Sequence, residues 1–215
     1  MLVEAIVPLK SLASSKHRLS GVLSCVDRRA LVMAMADDVL SRLANHPEID
    51  IVSVVHGGGW QIDFFDRYRV NLYFENQIQS RGLNETLEGA IQRAEGQQIL
   101  LVFGDLPRLN EAELTEVLAV AKNHEVVLCP DRAKHGTNLM ALRKSSQMRL
   151  SFGNGSFGKH KRLSIEAGLS WCSLTAVGSS NDVDNPDDLN LLMQNSSALG
   201  AATAAWRSEF KNMKT

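Results

Sequence analysis

The run Ile99–Phe103 (ILLVF), cut short by Gly104-Asp105-Leu106-Pro107, narrows the fold more than any other segment of this chain. Five apolar residues without alternation describe a strand buried on both faces, which is how strands of a parallel sheet covered by helices read. Val126–Cys129, in the strand candidate Glu125–Cys129, carries the same signature. Further strands are expected over Val3–Pro8, Asp50–His56, Val70–Phe74, Asn138–Leu142 and Ser173–Val177. Segments of helical period separate several of them: Arg28–Ala44, Leu83–Ala94, Glu111–Lys122 and Phe157–Ala167, followed by Pro186–Gln194 and Ala198–Phe210. Strands alternating with helices imply an α/β sandwich around a mostly parallel sheet, where ligands bind beyond the carboxyl ends of the strands.

No repeat, low-complexity tract or linker divides the 215 residues, so a single domain spanning 1–215 is expected. The formal net charge of -1 argues against nucleic-acid or membrane-surface binding by bulk charge; an anion site must be built locally. Cys25, Cys129 and Cys172 are too few and too scattered for a disulfide framework or a zinc knuckle. With no signal-peptide pattern and no apolar span near 20 residues, a cytoplasmic setting is expected.

Within such a sheet, Asp105 falls one residue past a strand end, where Gly104 permits a tight turn and Pro107 stops the strand. Its carboxylate either caps the helix beginning near Glu111 or meets a cation at the ligand edge. In "NDVDNPDDL", Asp187 and Asp188 occupy the first turn of a helix with Pro186 at N1 and Asn185 as N-cap. Asp182 and Asp184 precede that cap, and their mutual repulsion asks for a cation. An EF-hand is excluded, because no glycine and acidic twelfth position follow in register.

Three stretches suit anions. After the first strand, "VPLKSLASSKHRLS" sets Lys10, Lys16, His17 and Arg18 among small residues, which lets backbone N–H groups and cations reach a phosphate. It is neither a P-loop nor a Rossmann glycine motif. "DRAKHGTNLMAL" offers Thr137 and backbone donors, and "SFGNGSFGKH" feeds Gly153, Gly155 and Ser156 into a helix N-terminus, with Lys159, His160 and Lys161 adding positive charge. "RGLNETLEGA" reads as mainly structural, with Arg81 to Asn84 within reach of a base or ribose. Asp37-Asp38 lie mid-helix in a solvated or ion-paired role. No G-x-S-x-G and no cysteine beside a basic partner support nucleophilic hydrolysis.

Taken in order, "VPLK-x-L-A-x-x-K-x-R-L", "GLNETL", "GDLP", "PDR…GTN", "FGNGSF-x-x-H" and "DVDNPDDL" resemble the 2-phospho-L-lactate guanylyltransferase family of coenzyme F420 biosynthesis (CofC), over residues 3 to 189. The resemblance implies a Rossmann-like GT-A-type nucleotidyltransferase fold, a three-layer sandwich around a mixed sheet. It implies transfer of GMP from GTP to a phospho-carboxylic acid (2-phospho-L-lactate, phosphoenolpyruvate or 3-phosphoglycerate) with release of pyrophosphate. By that pattern Asp105 with Asp182 or Asp184 would hold Mg²⁺, and Thr137, Gly153 and Ser156 would bind the acid. Pro8, Lys10, Gly82, Asn84 and Gly104 would meet the nucleotide, and Lys10, Lys16 and Arg18 the triphosphate. The alternatives are a nucleotidyltransferase of the same fold using CTP or a sugar phosphate, and a non-catalytic nucleotide-binding module. Oligomeric state is left open, a homodimer included.

Overall fold

The computed structural model describes residues 1–74 and 82–213. Seven strands among these residues form one sheet: β1 (Val3–Leu9), β2 (Ile51–His56), β3 (Val70–Phe74), β4 (Gln98–Val102), β5 (Val126–Pro130), β6 (Thr137–Arg143) and β7 (Trp171–Ser173). Their order is β3-β2-β1-β4-β6-β5-β7. β6 alone runs against the rest, pairing antiparallel with β4 and β5. The expectation of a mostly parallel mixed sheet holds, and the apolar run that suggested it lies at the centre.

Alternate residues of β4 feed two cores. Leu100 and Val102 join the side covered by α1 (Cys25–Ala44), α3 (Glu111–Ala121), α6 (Pro186–Gln194) and α7 (Ala201–Met213). Ile99 and Leu101 join the side covered by α2 (Leu83–Arg93) and α4 (Ser156–Glu166). A strand with both faces buried has no polar face, so its apolar residues run without interruption.

The reversal of β6 decides where the chemistry collects. A turn between β5 and β6 is closed by Asp131, whose carboxylate accepts from the backbone N–H groups of His135 (2.8 Å) and Gly136 (2.7 Å). Gly136 is required there, since a Cβ would lie 2.8 Å from that carboxylate. Because β6 is antiparallel, its first residues, Thr137 and Asn138, lie beside the last residues of β4, and Phe103 N–H donates to Asn138 C=O at 3.2 Å. A parallel strand would have delivered its opposite end.

Most boundaries lie within one residue of the sequence reading, and three elements have an end displaced by three residues or more. α1 begins at Cys25, because the Ser24 hydroxyl accepts from Asp27 N–H and caps the helix three residues earlier than expected. The last strand is Trp171–Ser173, whereas Val177–Ser180 forms a helical turn, α5. Glu113 of α3 draws that segment out of the sheet by accepting from Gly178 N–H (2.6 Å) and Ser179 N–H (3.1 Å).

The C-terminal helix starts at Ala201, and Asp38 sets its start. Buried in the middle of α1, Asp38 accepts from Ala202 N–H and Thr203 N–H, both at 2.9 Å. The solvated or ion-paired role expected of the Asp37-Asp38 pair therefore holds for Asp37, which pairs with Arg67 at 3.0 Å, and not for Asp38. Asp38→Ala should lower stability by about 2 kcal/mol, the loss of a charged helix cap with its buried donors stranded. Denaturant melts and hydrogen exchange over 201–213 would measure it; unchanged exchange there would return Asp38 to a passive role.

Candidate active site

The loop after β1 is folded tightly against β2. Leu12 N–H donates to Gly58 C=O (3.0 Å), Gly57 N–H to Leu9 C=O (2.8 Å), and the Trp60 indole N–H to Lys10 C=O (2.8 Å). Trp60, in "HGGGW", escaped the sequence reading; a glycine run at a strand end followed by an aromatic was the available signal. Lys16 takes the left-handed conformation (φ 53°, ψ 42°), at a cost of about 1–2 kcal/mol for a non-glycine residue.

That conformation is offset by what the side chain reaches. Lys16 Nζ lies 2.5 Å from Asp105 Oδ2 and 3.3 Å from Asp184 Oδ1, with only 9% of its side chain exposed. Arg18 Nη1 meets Asp184 Oδ2 at 2.5 Å. The Arg18 contact is largely exposed and contributes under about 1 kcal/mol, so the guanidinium is free to turn to a phosphate. Pro8, Lys10, Lys16, Arg18, Gly104 and Asp105 line one cavity of about 300 Å³, joined by Asp184 and floored by Met35 and Trp60. Gly104 keeps that edge closed, since a Cβ there would sit 2.4 Å from the Leu9 side chain.

The second acidic segment is tied to the first. Val183 N–H donates to Asp105 C=O at 3.3 Å, which places Asp182 and Asp184 on either side of the Asp105 strand end. Asp187 and Asp188 are structural, as read from the sequence: Asn185 and Asp188 form a capping box on α6, and Asp188 also pairs with Arg132 at 3.2 Å. Asp182 Oδ1 accepts from Asn138 Nδ2 (3.0 Å), and the same amide donates to Ser179 C=O (3.0 Å). Glu113, through Gly178 and Ser179, therefore braces the segment that holds Asp182. Gly178 fits only as glycine, with a Cβ 2.2 Å from Glu113 Oε2.

These carboxylates are electrostatically unequal. Burial pushes Asp182 up to about 6, and the neighbouring charge of Asp105 adds to the effect. For Asp184 burial acts in the same sense but is outweighed by Lys16 and Arg18, which hold it below the ordinary carboxylate range. Burial likewise disfavours the Lys16 ammonium, yet Asp105 and Asp184 prevail and raise it. Among the described residues no three carboxylates, imidazoles or thiols converge closely enough to hold a metal on their own. The donor set instead matches a hard cation that takes one or two carboxylates and completes its shell with substrate phosphates.

Next to this cluster, across Asn138, lies a second polar group. Thr137 N–H donates to Ser156 Oγ at 2.9 Å, and Thr137 Oγ1 meets His160 Nδ1 at 3.0 Å. Gly153 (φ 115°) and Gly155 (φ 69°) form the turn that enters α4, both in backbone regions that glycine favours. Thr137, Gly153 and Ser156 are thus assembled at one helix N-terminus. His160 is not the surface cation expected from "GKHK". It is fully buried, and burial, reinforced by Lys159, lowers its pKa to about 4, so the imidazole is neutral.

Of the α2 residues, Leu83 lines the cavity, whereas Gly82 sits at the N-cap and Arg81 lies outside the described residues. The Asn84 amide holds the backbone of Phe152 at both ends, accepting from its N–H (2.6 Å) and donating to its C=O (3.2 Å). It pins the 148–155 loop beside the cavity.

A histidine depressed in the fold binds no proton where the unfolded chain binds one, so stability rises with pH between about 4 and 6.5 and levels off above. Between pH 7 and pH 5 the protein should lose about 2 kcal/mol more than a His160→Asn variant. Parallel stability slopes for the two proteins would refute the buried neutral imidazole.

The profile of the family described as "Guanylyl transferase CofC like" matches residues 3–203. The chain is 32% identical over 196 residues to a phosphoenolpyruvate guanylyltransferase of Sphaerobacter thermophilus, covering 89% of this chain and 93% of the relative. It is 32% identical over 187 residues to a 2-phospho-L-lactate guanylyltransferase of Methanothermobacter thermautotrophicus, covering 86% and 81%. A solved structure, a putative nucleotide-diphospho-sugar transferase from Desulfovibrio desulfuricans, superposes with a TM-score of 0.81 at 19% identity, covering 100% of this chain and 98% of that one. The fold is that of the GT-A-like nucleotidyltransferases, and the chain belongs to the CofC-like guanylyl transferase family.

Proposed function

We propose that this enzyme transfers GMP from GTP to the phosphate of a small phospho-carboxylic acid, releasing pyrophosphate, as the phosphoenolpyruvate and 2-phospho-L-lactate guanylyltransferases named above do in name. The observation that carries this reading is the adjacency of two unlike sites. A lysine-bridged carboxylate cluster (Lys16, Asp105, Asp184) stands beside a hydroxyl-bearing helix N-terminus (Thr137, Ser156), joined through Asn138 and Asp182. The first suits a triphosphate with its cation and the second a phosphorylated acid.

In this reading a phosphate oxygen of the acid attacks the α-phosphorus of GTP, a new P–O bond forms, and the α–β bridge breaks to free pyrophosphate. The attacking oxygen is already ionised near neutral pH, so no general base is needed. Positioning and charge neutralisation supply the catalysis. Lys10, Lys16 and Arg18 neutralise the triphosphate and the departing pyrophosphate. Mg²⁺ held by Asp105 with Asp182 or Asp184 would add charge neutralisation at the triphosphate. Thr137, Ser156 and the Gly153 turn seat the acid, while Pro8, Gly82, Asn84 and Gly104 flank the nucleotide. The setting is cytoplasmic and the pathway that of coenzyme F420 or a variant of it. Among the described residues no helix is long and apolar enough to cross a membrane.

Purified protein incubated with Mg²⁺, each of the four NTPs, and phosphoenolpyruvate, 2-phospho-L-lactate or 3-phosphoglycerate should release pyrophosphate with GTP and give a product carrying one added GMP by mass. Release with CTP and never with GTP would end this reading. Asp105→Asn should reduce turnover by about a thousandfold, the scale of losing a preorganised electrostatic element, in a protein that still folds to the wild-type circular dichroism spectrum. Retained turnover in that variant would leave Asp105 only the ion-pair partner of Lys16, since Asn110 and not Asp105 caps α3.

A further inference from the structure

We propose that His160 is a positioning residue that makes the Thr137 hydroxyl a fixed donor for the anionic end of the acceptor substrate; this rests on reading Thr137 and Ser156 as acceptor ligands. The argument is one of proton inventory. His160 Nε2 lies 2.9 Å from the backbone nitrogen of Ser151, and a backbone N–H can only donate, so Nε2 carries a lone pair. A neutral imidazole has one ring proton, which therefore sits on Nδ1 and is donated to Thr137 Oγ1 at 3.0 Å. Thr137 Oγ1, accepting there, is left with its own proton to give. Ser156 is arranged alike: its oxygen accepts from Thr137 N–H at 2.9 Å, leaving its proton to donate.

Each hydroxyl consequently keeps its proton for a ligand at the N-terminal turn of α4, its oxygen already accepting one hydrogen bond from within the fold. A donor pair of this kind is matched to phosphate or carboxylate oxygens.

The imidazole is locked in this state from several directions. Phe152 packs edge-on against it with centroids 4.7 Å apart, and Phe152 in turn packs against Phe103, which precedes Gly104-Asp105. The backbone N–H groups of Leu150, Ser151 and Phe152 are accepted by Glu88, His160 and Asn84 in turn. Losing the Nε2 lone pair would leave the partly buried Ser151 N–H without its acceptor, a cost of about 1 kcal/mol.

Two substitutions separate the positioning role from loop bracing. Asparagine places an amide N–H where Nδ1 stands and can still donate to Thr137, whereas glutamine reaches the Nε2 position and can still accept from Ser151. The readout is KM for phosphoenolpyruvate or 2-phospho-L-lactate, whichever supports turnover, beside KM for GTP. His160→Asn should stay within about threefold of wild type, and His160→Gln should raise the acid KM about tenfold, the equivalent of one hydrogen bond to a charged group, with GTP KM unchanged in both. In a Thr137→Val background the difference between them should vanish. The reverse ranking, with Gln near wild type and Asn impaired, would overturn the proposal and leave His160 a brace for the loop. A Thr137→Val enzyme with wild-type acid KM would instead remove Thr137 from the acceptor site, and the proposal with it. On the unmodified protein, ¹⁵N-histidine spectra near pH 7 should show the His160 ring protonated on Nδ1; protonation on Nε2 overturns the proposal whatever the variants do.

Discussion

The Lys16 ammonium, set between Asp105 and Asp184, ties together three segments that the sheet alone would leave independent. The loop after β1, the end of β4 and the stretch before α6 all converge on it. Removing the ammonium would leave Asp105, Asp182 and Asp184 crowded at one partly buried edge. Asp182 is already pushed up by burial and by Asp105. A buried charge cluster is stable only if both signs are present and hydrogen-bonded. The left-handed backbone at Lys16 and the anchoring of its loop by Trp60 serve that condition.

The neighbouring group of Thr137, Ser156 and His160 answers the same requirement without charge. All three are buried and polar, and each is satisfied by a partner within the group. A cationic imidazole there would have nothing of opposite sign beside it. The neutral ring keeps this buried group free of net charge.

Where the fold was legible, the reason is that the relevant forces are local in sequence. Ile99–Val102 reads as a doubly buried strand because both its faces are covered, and Pro186 with Asn185 and Asp188 announces α6 through its own cap. What was not legible depends on distant partners. Val177–Ser180 has β-prone neighbours, but Glu113, more than 60 residues earlier, supplies the acceptors that wind it into a turn. Asp38 looks like a solvated helix residue until the C-terminal helix is docked onto it. His160, flanked by Lys159 and Lys161, reads as part of a basic cluster because periodicity does not reveal that it faces inward. The candidate site residues were nameable from their motifs; their pairing, with Lys16 bridging two carboxylates and Asn138 reaching Asp182, was not.

The reversed strand β6 has a consequence for how such an enzyme can diversify. Segments running forward in the sheet, the β1 loop and the end of β4, build the Lys16 carboxylate cluster, the proposed nucleotide half. The Thr137–Ser156 group, the proposed acceptor half, hangs from a strand that enters from the opposite direction, through the 131–136 turn and the 148–155 loop. The two halves meet along the β4–β6 ladder and through side chains that include Asn138 with Asp182, Asn84 and Phe103 with Phe152, and Arg132 with Asp188. The turn and the loop lie outside the β1 loop and the β4 end, so sequence can drift there while the Lys16 cluster stays as it is. On the proposed reading, a family built this way can keep one nucleotide and change its acid.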